Sequence, residues 1–237
     1  MESFRAFSAL HAIALCTIAA LTLLAIALRR RRPPEPLAPG PVERTLALAY
    51  LGAWIVTYLW LLAPGLREPA STLPLHLCHL AAANAALVLL TGWRPLRALQ
   101  YFWGLALCTQ ALITPSLLEG PALYPFWFFW TSHGMIVGVA LYDVFARGYR
   151  PSWRDWRFAC AAAAVYVLAV LPINLAFGWN YGFVGPSRPG VPSIVDFLGP
   201  WPFRLVPVVA IAAAAMALLA LPWALAARLR PRGSSSA

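Results

Sequence analysis

From Ala9 to Leu28 the chain runs without a single Asp, Glu, Lys or Arg. A helix needs about 20 residues to cross roughly 30 Å of hydrocarbon, so this stretch alone is long enough to span a bilayer. Six further apolar runs follow, at Leu46–Leu62, Leu75–Leu90, Ala98–Ile113, Tyr124–Phe145, Phe158–Leu175 and Phe203–Leu225. Lipid offers backbone N–H and C=O groups no partner, which leaves helices and closed barrels as the only spanning structures. Runs this long and unbroken predict helices. The expectation is an all-α polytopic membrane protein with seven transmembrane helices. Composition agrees: 61% of the residues are hydrophobic and 11% charged, against about 25% charged in ordinary soluble domains.

A formal net charge of +10 in a soluble protein would suggest a nucleic-acid partner. Here its distribution points elsewhere, and no nucleic-acid partner is expected. Every cation is arginine. Seven alternating spans put Arg29–Arg32, Arg44, Arg94, Arg97, Arg147, Arg150, Arg154, Arg157, Arg228, Arg230 and Arg232 on one side, leaving Arg5, Arg67, Arg188 and Arg204 on the other. The positive-inside rule makes the richer side cytoplasmic. The N-terminus is then outside, the C-terminus cytoplasmic, and the arginines are topology anchors. The first run exceeds the usual signal-peptide core and lacks a tidy cleavage site before "RRRRPP", so a retained helix is expected. Residues 1–228 read as a single seven-helix transmembrane domain. Inside it, 29–45 is a basic, Pro-rich cytoplasmic linker. Residues 178–202 form an external loop whose apolar content suits a lid packed on the bundle. Its aromatic residues suit the interface belt. Residues 229–237 read as a disordered cytoplasmic tail.

The chain has four histidines and four cysteines, and three of those eight crowd into "LHLCHL" as His76, Cys78 and His79. On the expected topology these and Asn84 fall in the outer half of the third span. Gln110 and Thr114 lie near the outer end of the fourth, and Thr131, Ser132 and His133 in the upper part of the fifth. Asn174 closes the sixth, and Asn180, Tyr181 and Asp196 belong to the external loop. The inner halves offer little comparable beyond Tyr142 and Asp143. Polar side chains inside a membrane face the bundle or a watered cavity and mark functional sites. Taken singly, Asn84 or Gln110 reads as interhelical glue.

Geometry separates the histidines from the cysteine. In a regular helix with Pro74 in its first turn, His76 and His79 share a face, while Cys78 points about 160° from His76. One histidine is then expected to line a cavity and the other to pack against a neighbour. His133, on another helix, is as good a partner for Cys78 as its sequence neighbours. A thiol beside an imidazole is a standard nucleophile. Three histidines and a cysteine can equally compose a metal site, although the HxxxH and HExxH spacings are absent, as is an intramembrane carboxylate ligand.

Five segments, "LPLHLCHLA", "YFWGLALCTQALITPSL", "FFWTSHGMIVGVALYDV", "NLAFGWNYGF" and "DFLGPWPFRL", occur in an order that resembles the YwaF-type bacterial integral membrane proteins. The animal relatives of that family are transmembrane phospholipid acyltransferases of ether-lipid metabolism. The resemblance covers roughly Leu73 to Leu205. It implies a catalytic pair formed by the cysteine of LHxC and the histidine of SHG, which are Cys78 and His133 here. Many bacterial members carry an acidic residue after that cysteine; this chain has His79.

The resemblance implies an acyltransferase acting on glycerophospholipid in the bacterial cell membrane as a multi-pass protein. On the chemistry of the residues, Cys78 attacks an ester carbonyl to give an acyl-thioester, and His133 takes the thiol proton and later activates the acceptor hydroxyl. His76, His79, Asn174, Asn180 and Tyr181 are the candidates for substrate or oxyanion contacts. No Gly-rich nucleotide or coenzyme motif occurs, which suits transfer between membrane phospholipids with no cofactor and no metal. Three other classes fit the same residues: a solute or lipid transporter with an outward polar cavity, a metal-dependent intramembrane hydrolase using His76, His79 and His133, and a sensor without chemistry.

The arginine asymmetry generates the first prediction. Topology reporters fused after Arg230 and inserted within Pro186–Pro192 should report opposite sides of the membrane. Matching signals would sink the seven-span topology.

Overall fold

In the computed structural model, residues 4–31, 39–62, 72–187 and 194–229 are described, and every regular element among them is helical. The elements are α1 (Ala9–Arg30), α2 (Pro41–Leu61), α3 (Leu77–Thr91), α4 (Arg94–Phe102), a π-helical segment (Trp103–Cys108), α5 (Gln110–Ile113), α6 (Tyr124–Phe145), α7 (Trp153–Phe177) and α8 (Leu205–Leu229). Short 3-10 turns at Tyr181–Phe183 and Ile194–Leu198 lie between α7 and α8. Five helices, α1, α2, α6, α7 and α8, are long and apolar enough to cross a membrane. The chain is a multi-pass membrane protein. The expected tail, the centre of the Pro-rich linker, the middle of the 178–202 loop, and Arg32, Arg67, Arg188, Arg230 and Arg232 lie outside the described residues.

The helix ends follow local chemistry. α2 begins inside the expected linker because Gly40 donates its backbone N–H to Glu43 Oε2 at 2.7 Å and Pro41 occupies the first turn, where a missing N–H costs nothing. α7 begins at Trp153, earlier than its apolar run, because Ser152 and Asp155 form a reciprocal capping box. α3 starts later than expected. His76 is its N-cap in an extended conformation, and Pro74 sits in a turn ahead of the helix, where the Leu75 N–H meets the Leu73 carbonyl at 2.7 Å. α6 matches the apolar run residue for residue.

The expected fourth span is not one regular helix. α4 gives way at Trp103 to a π turn before the short α5. Wide turns leave helical carbonyls displaced, and here Thr109 Oγ1 donates to the Gly104 carbonyl at 3.1 Å. Gln100, buried at the foot of this segment, donates to the Ile136 carbonyl of α6 at 2.8 Å and accepts from Asn84 Nδ2 at 2.8 Å. Asn84 also donates to the Leu96 carbonyl at 2.9 Å. It is interhelical glue.

α6 is the central helix: 50% of its most apolar window is buried, against 11% for α1 and α8. α3 packs on it through Ala81, Ala82, Ala85 and Ala86, all buried. α1 seats against Gly134 and Gly138 of α6, where an added Cβ would meet Ile18 and Thr22. Leu21, Leu24, Val165, Leu168, Val206 and Leu218 point outward, as lipid-facing side chains do.

The arginine-rich end is more than a set of topology anchors. Arg97 Nε donates to Asp143 Oδ2 at 2.7 Å with both side chains buried, and Arg147 Nε stands 3.9 Å from Asp143 Oδ1. Arg94 forms a two-point contact with Asp155 at 3.0 and 2.6 Å. The Arg97 guanidinium lies over the Tyr149 ring at 4.8 Å. These contacts tie α4, α6 and α7 together, and Asp143, one of the two polar residues expected in the inner halves, stands at their centre. The sequence distance between partners hid the pairing: Arg97 and Asp143 are 46 positions apart.

Removing one partner of a buried ion pair strands the other, at a cost of about 3–5 kcal/mol. Asp143→Ala should therefore destabilise the bundle strongly, read as a lower unfolding midpoint of detergent-solubilised protein. The double substitution Arg97→Met, Asp143→Leu should recover more than half of the loss. An Asp143→Ala protein as stable as its parent would refute the structural role of the pair.

Candidate active site

The far end of α3 holds the first candidate residues. Cys78 is the second residue of the helix, and its sulfur interacts with the backbone amides of Cys78 and His79. The side chain packs against the core that contains Tyr50, Cys108 and Ile136. Four further groups lie within electrostatic reach of it: Tyr50 and Tyr58 of α2, Tyr166 of α7, and Cys108 of the π segment.

His76 and His79 touch edge to face, with ring centroids 5.4 Å apart. Their other neighbours differ. His76 faces the loop after α7, 4.7 Å from the Tyr181 ring and 6.2 Å from Phe183. His79 faces α2, 5.3 Å from Tyr58, and lies within electrostatic reach of His133. The cause is the late helix start: His76, as an extended N-cap, is turned toward the loop, while His79 sits one turn inside.

His133 comes from α6, its ring tilted against Phe129 with centroids 4.2 Å apart. Its Nδ1 meets the Phe129 carbonyl at 2.9 Å. A carbonyl only accepts, so Nδ1 carries the proton and Nε2 carries a lone pair. That Nε2 is buried and has no hydrogen-bond partner; no hydrogen bond joins it to Cys78. Ser132, its neighbour, accepts from the Tyr50 hydroxyl at 3.0 Å. Tyr50 thus links the turn that bears His133 to the surroundings of Cys78.

Asn174 and Asn180 hold the loop. Asn174, fully buried near the end of α7, donates to the Tyr181 carbonyl at 2.9 Å and accepts from the Tyr181 N–H at 2.8 Å. Asn180 Oδ1 accepts from the Gly185 N–H at 2.9 Å. Tyr181 is buried against Val170, Val184 and Leu75, not in an interface belt. At Gly182 (φ 65°) an added Cβ would lie 2.6 Å from the Tyr166 hydroxyl, and at Gly185 one would lie 2.1 Å from the Trp179 carbonyl oxygen. Neither position admits a side chain, which lets the loop lie flat over α7 and the start of α3. Beyond it, buried Arg204 pairs with Asp196 and Ser187 and donates to the Gly185 carbonyl at 2.8 Å. The described residues of this loop pack against α7 and the start of α3.

A family model for the TMEM164 family, a family of transmembrane proteins, matches residues 6–220. The chain belongs to the TMEM164 family. The matched range encloses Cys78, His133 and the whole lid of this TMEM164 family protein. No curated protein and no solved structure matches the chain.

Several expectations shift. Gln110, Thr114 and Thr131 are exposed on the outside of the bundle and take no part in the cluster. Among the described residues, no three His, Cys, Asp or Glu side chains are grouped to hold a metal ion. His11, the fourth histidine, accepts from the Phe7 N–H at 2.8 Å, and its Nε2 meets the Leu112 carbonyl at 2.7 Å. It pins α1 to α5. Sequence reasoning missed Tyr50, Tyr58 and Tyr166. The available signal was that a phenol inside an apolar span needs a polar partner.

The double hydrogen bond between Asn174 and Tyr181 generates a test of the lid. Asn174→Ala should raise the rate at which a membrane-permeant maleimide labels Cys78 by about thirtyfold, given roughly 1 kcal/mol for each of the two bonds. An unchanged rate would show that the lid does not control access.

Proposed function

We propose that this TMEM164 family protein is a seven-span acyltransferase of the cell membrane. It moves a fatty acyl group to or between glycerophospholipids through an acyl-thioester on Cys78. The remaining two spans are α3 and the composite segment from Arg94 to Ile113, with the arginine-rich end in the cytoplasm. The observation that carries the reading is His133 Nε2: a buried lone pair without a partner, its tautomer fixed by Phe129, in the neighbourhood of a thiol at a helix N-terminus.

The chemistry follows from those two groups. His133 takes the thiol proton as sulfur attacks the ester carbonyl of the donor, and the deacylated lipid leaves with that proton. The gap between Cys78 and His133 closes when substrate orders the site, as catalytic hydrogen bonds tighten in the reacting complex. Depth favours a lipid ester. The 15 residues of α3 rise about 22 Å, short of the roughly 30 Å of hydrocarbon. The start of α3 thus falls inside the hydrocarbon thickness, where Cys78 meets lipid and not bulk water. Asn174 and Asn180 serve by positioning the lid, and Tyr181 and His76 close the site over the lipid.

Cys78→Ser and Cys78→Ala should each lose most of the phospholipid remodelling measured in liposomes at equal protein content, by about 10² or more, since an alcohol is a far poorer nucleophile at neutral pH. His133→Ala should be similarly damaging, and the double variant little worse, because paired catalytic residues act as a unit. Serine variants of exposed Cys16 and half-buried Cys160 should stay active. Full acyl exchange by Cys78→Ser would refute the nucleophile and leave a transporter as the better reading.

A further inference from the structure

Buried polar atoms in folded proteins are nearly all satisfied, and each exception asks for a cause. Around Cys78 there are three: Trp54 Nε1, His79 Nδ1 and His133 Nε2. The acyl-thioester reading uses the last. The other two are left over, and they differ in character. The indole N–H can only donate. His79 also interacts with the backbone of Leu73, where the group open to an imidazole N–H is the carbonyl. An imidazole nitrogen donates or accepts according to its tautomer. With the proton of His79 on Nε2, Nδ1 is a lone pair that can accept.

Trp54 stands on the right face of α2. It lies four residues from Tyr50 and four from Tyr58, so all three share one side of the helix, and both phenols are within electrostatic reach of Cys78. Its ring is 4.6 Å from Tyr58, whose ring is 5.3 Å from His79. One donor and one acceptor, flanking the same phenol beside the same thiol, match a hydroxyl group. A hydroxyl oxygen accepts one hydrogen bond and donates one.

We propose that Trp54 Nε1 and His79 Nδ1 form the subsite for the free hydroxyl of the acyl acceptor, a lysophospholipid, with His79 as its base. The inference rests on the acyl-thioester reading above and assigns its second half. The hydroxyl oxygen attacks the thioester carbonyl carbon while its proton passes to His79 Nδ1. A C–O bond forms, the tetrahedral adduct collapses, and the C–S bond breaks. The proton on His79 returns to the departing thiolate, leaving a new ester, a neutral imidazole and the free thiol. Two bases then divide two proton transfers: His133 serves the thiol and His79 the alcohol.

The test separates the half-reactions in proteoliposomes of the full chain, with a deuterated phosphatidylcholine as donor and a lysophosphatidylethanolamine as acceptor. Intact-protein mass spectrometry reads the acyl group on Cys78, and lipid mass spectrometry reads the transferred product. His79→Ala should acquire the acyl group at the parent rate and pass it on about 10²-fold or more slowly, the usual worth of a general base. The acyl-enzyme should accumulate. Hydroxylamine, which cleaves thioesters without help, should discharge variant and parent equally. His79→Asn keeps an acceptor atom near Nδ1 and should hold the acceptor KM while losing kcat. Trp54→Phe keeps the ring and should raise the acceptor KM several-fold. Parent-like transfer by His79→Ala, or loss of acylation along with transfer, would overturn the subsite, as would an unchanged acceptor KM in Trp54→Phe. Absence of any acyl-Cys78 in the parent would instead bring down the thioester reading itself, and the subsite with it.

Discussion

The packing of α3 on α6 is the contact on which the rest depends. Lipid supplies no hydrophobic drive between helices, so close association needs small residues that let backbones approach. α3 meets that need with Ala81, Ala82, Ala85 and Ala86, none more than 1% exposed. The same seam sets the two ends of the molecule. At one end it brings the start of α3, with Cys78 and His79, against the part of α6 that carries Ser132 and His133. At the other it carries the end of α3 to Asp143 and its arginines, where Arg147 donates to the Val88 carbonyl at 2.9 Å. A bulky residue on the alanine face would push both ends apart at once.

The division of labour between the ends is electrostatic. The arginine end pairs its charges: Asp143 and Asp155 take guanidinium donors, and the Arg150 guanidinium lies over the Trp223 ring at 5.0 Å. The histidine end carries neutral groups instead, and Trp54 Nε1, His79 Nδ1 and His133 Nε2 stay unsatisfied in the interior, as do Asp143 Oδ1 and the Tyr149 hydroxyl at the other end. Folded proteins tolerate such deficits at sites that await a partner. A base tied by ion pairs beneath a chamber of neutral polar groups divides the molecule into two electrostatic halves.

Much of this could be read along the chain, and the exceptions share a cause. Apolar run length foretold α1 and α6 almost to the residue, because lipid leaves a long uncharged run no alternative to helix. It misplaced the starts of α2 and α7, where Glu43 and Ser152 cap the helix in ways hydropathy does not register, and of α3, where the backbone is still extended at His76. The cluster of His76, Cys78, His79 and His133 was visible as polar residues in apolar context. The tyrosines and Trp54 were not, because an aromatic side chain counts as apolar until its one polar atom is placed. Asn174 and Asn180 were visible as polar candidates, but that they hold a loop depends on backbone positions that no sequence displays. Which face a polar residue occupies was the hardest question, as Gln110, Thr114 and Thr131 show.

The π turn at Trp103–Cys108 accounts for part of that difficulty. A π turn takes more residues per revolution than an α turn, so it acts as a phase shift: everything after Cys108 is rotated relative to where an unbroken helix would carry it. Helical-wheel arithmetic run from Arg94 therefore assigns Gln110 and Thr114 to the wrong side, and their outward position is the size of that slip made visible. The turn also keeps Cys108 on the buried side with Gly104 pressed against Ile136. Seen this way, the irregular span is a gear change. It lets one segment grip the arginine end with α-helical periodicity and meet the thiol end with another, which a uniform helix of the same length cannot do.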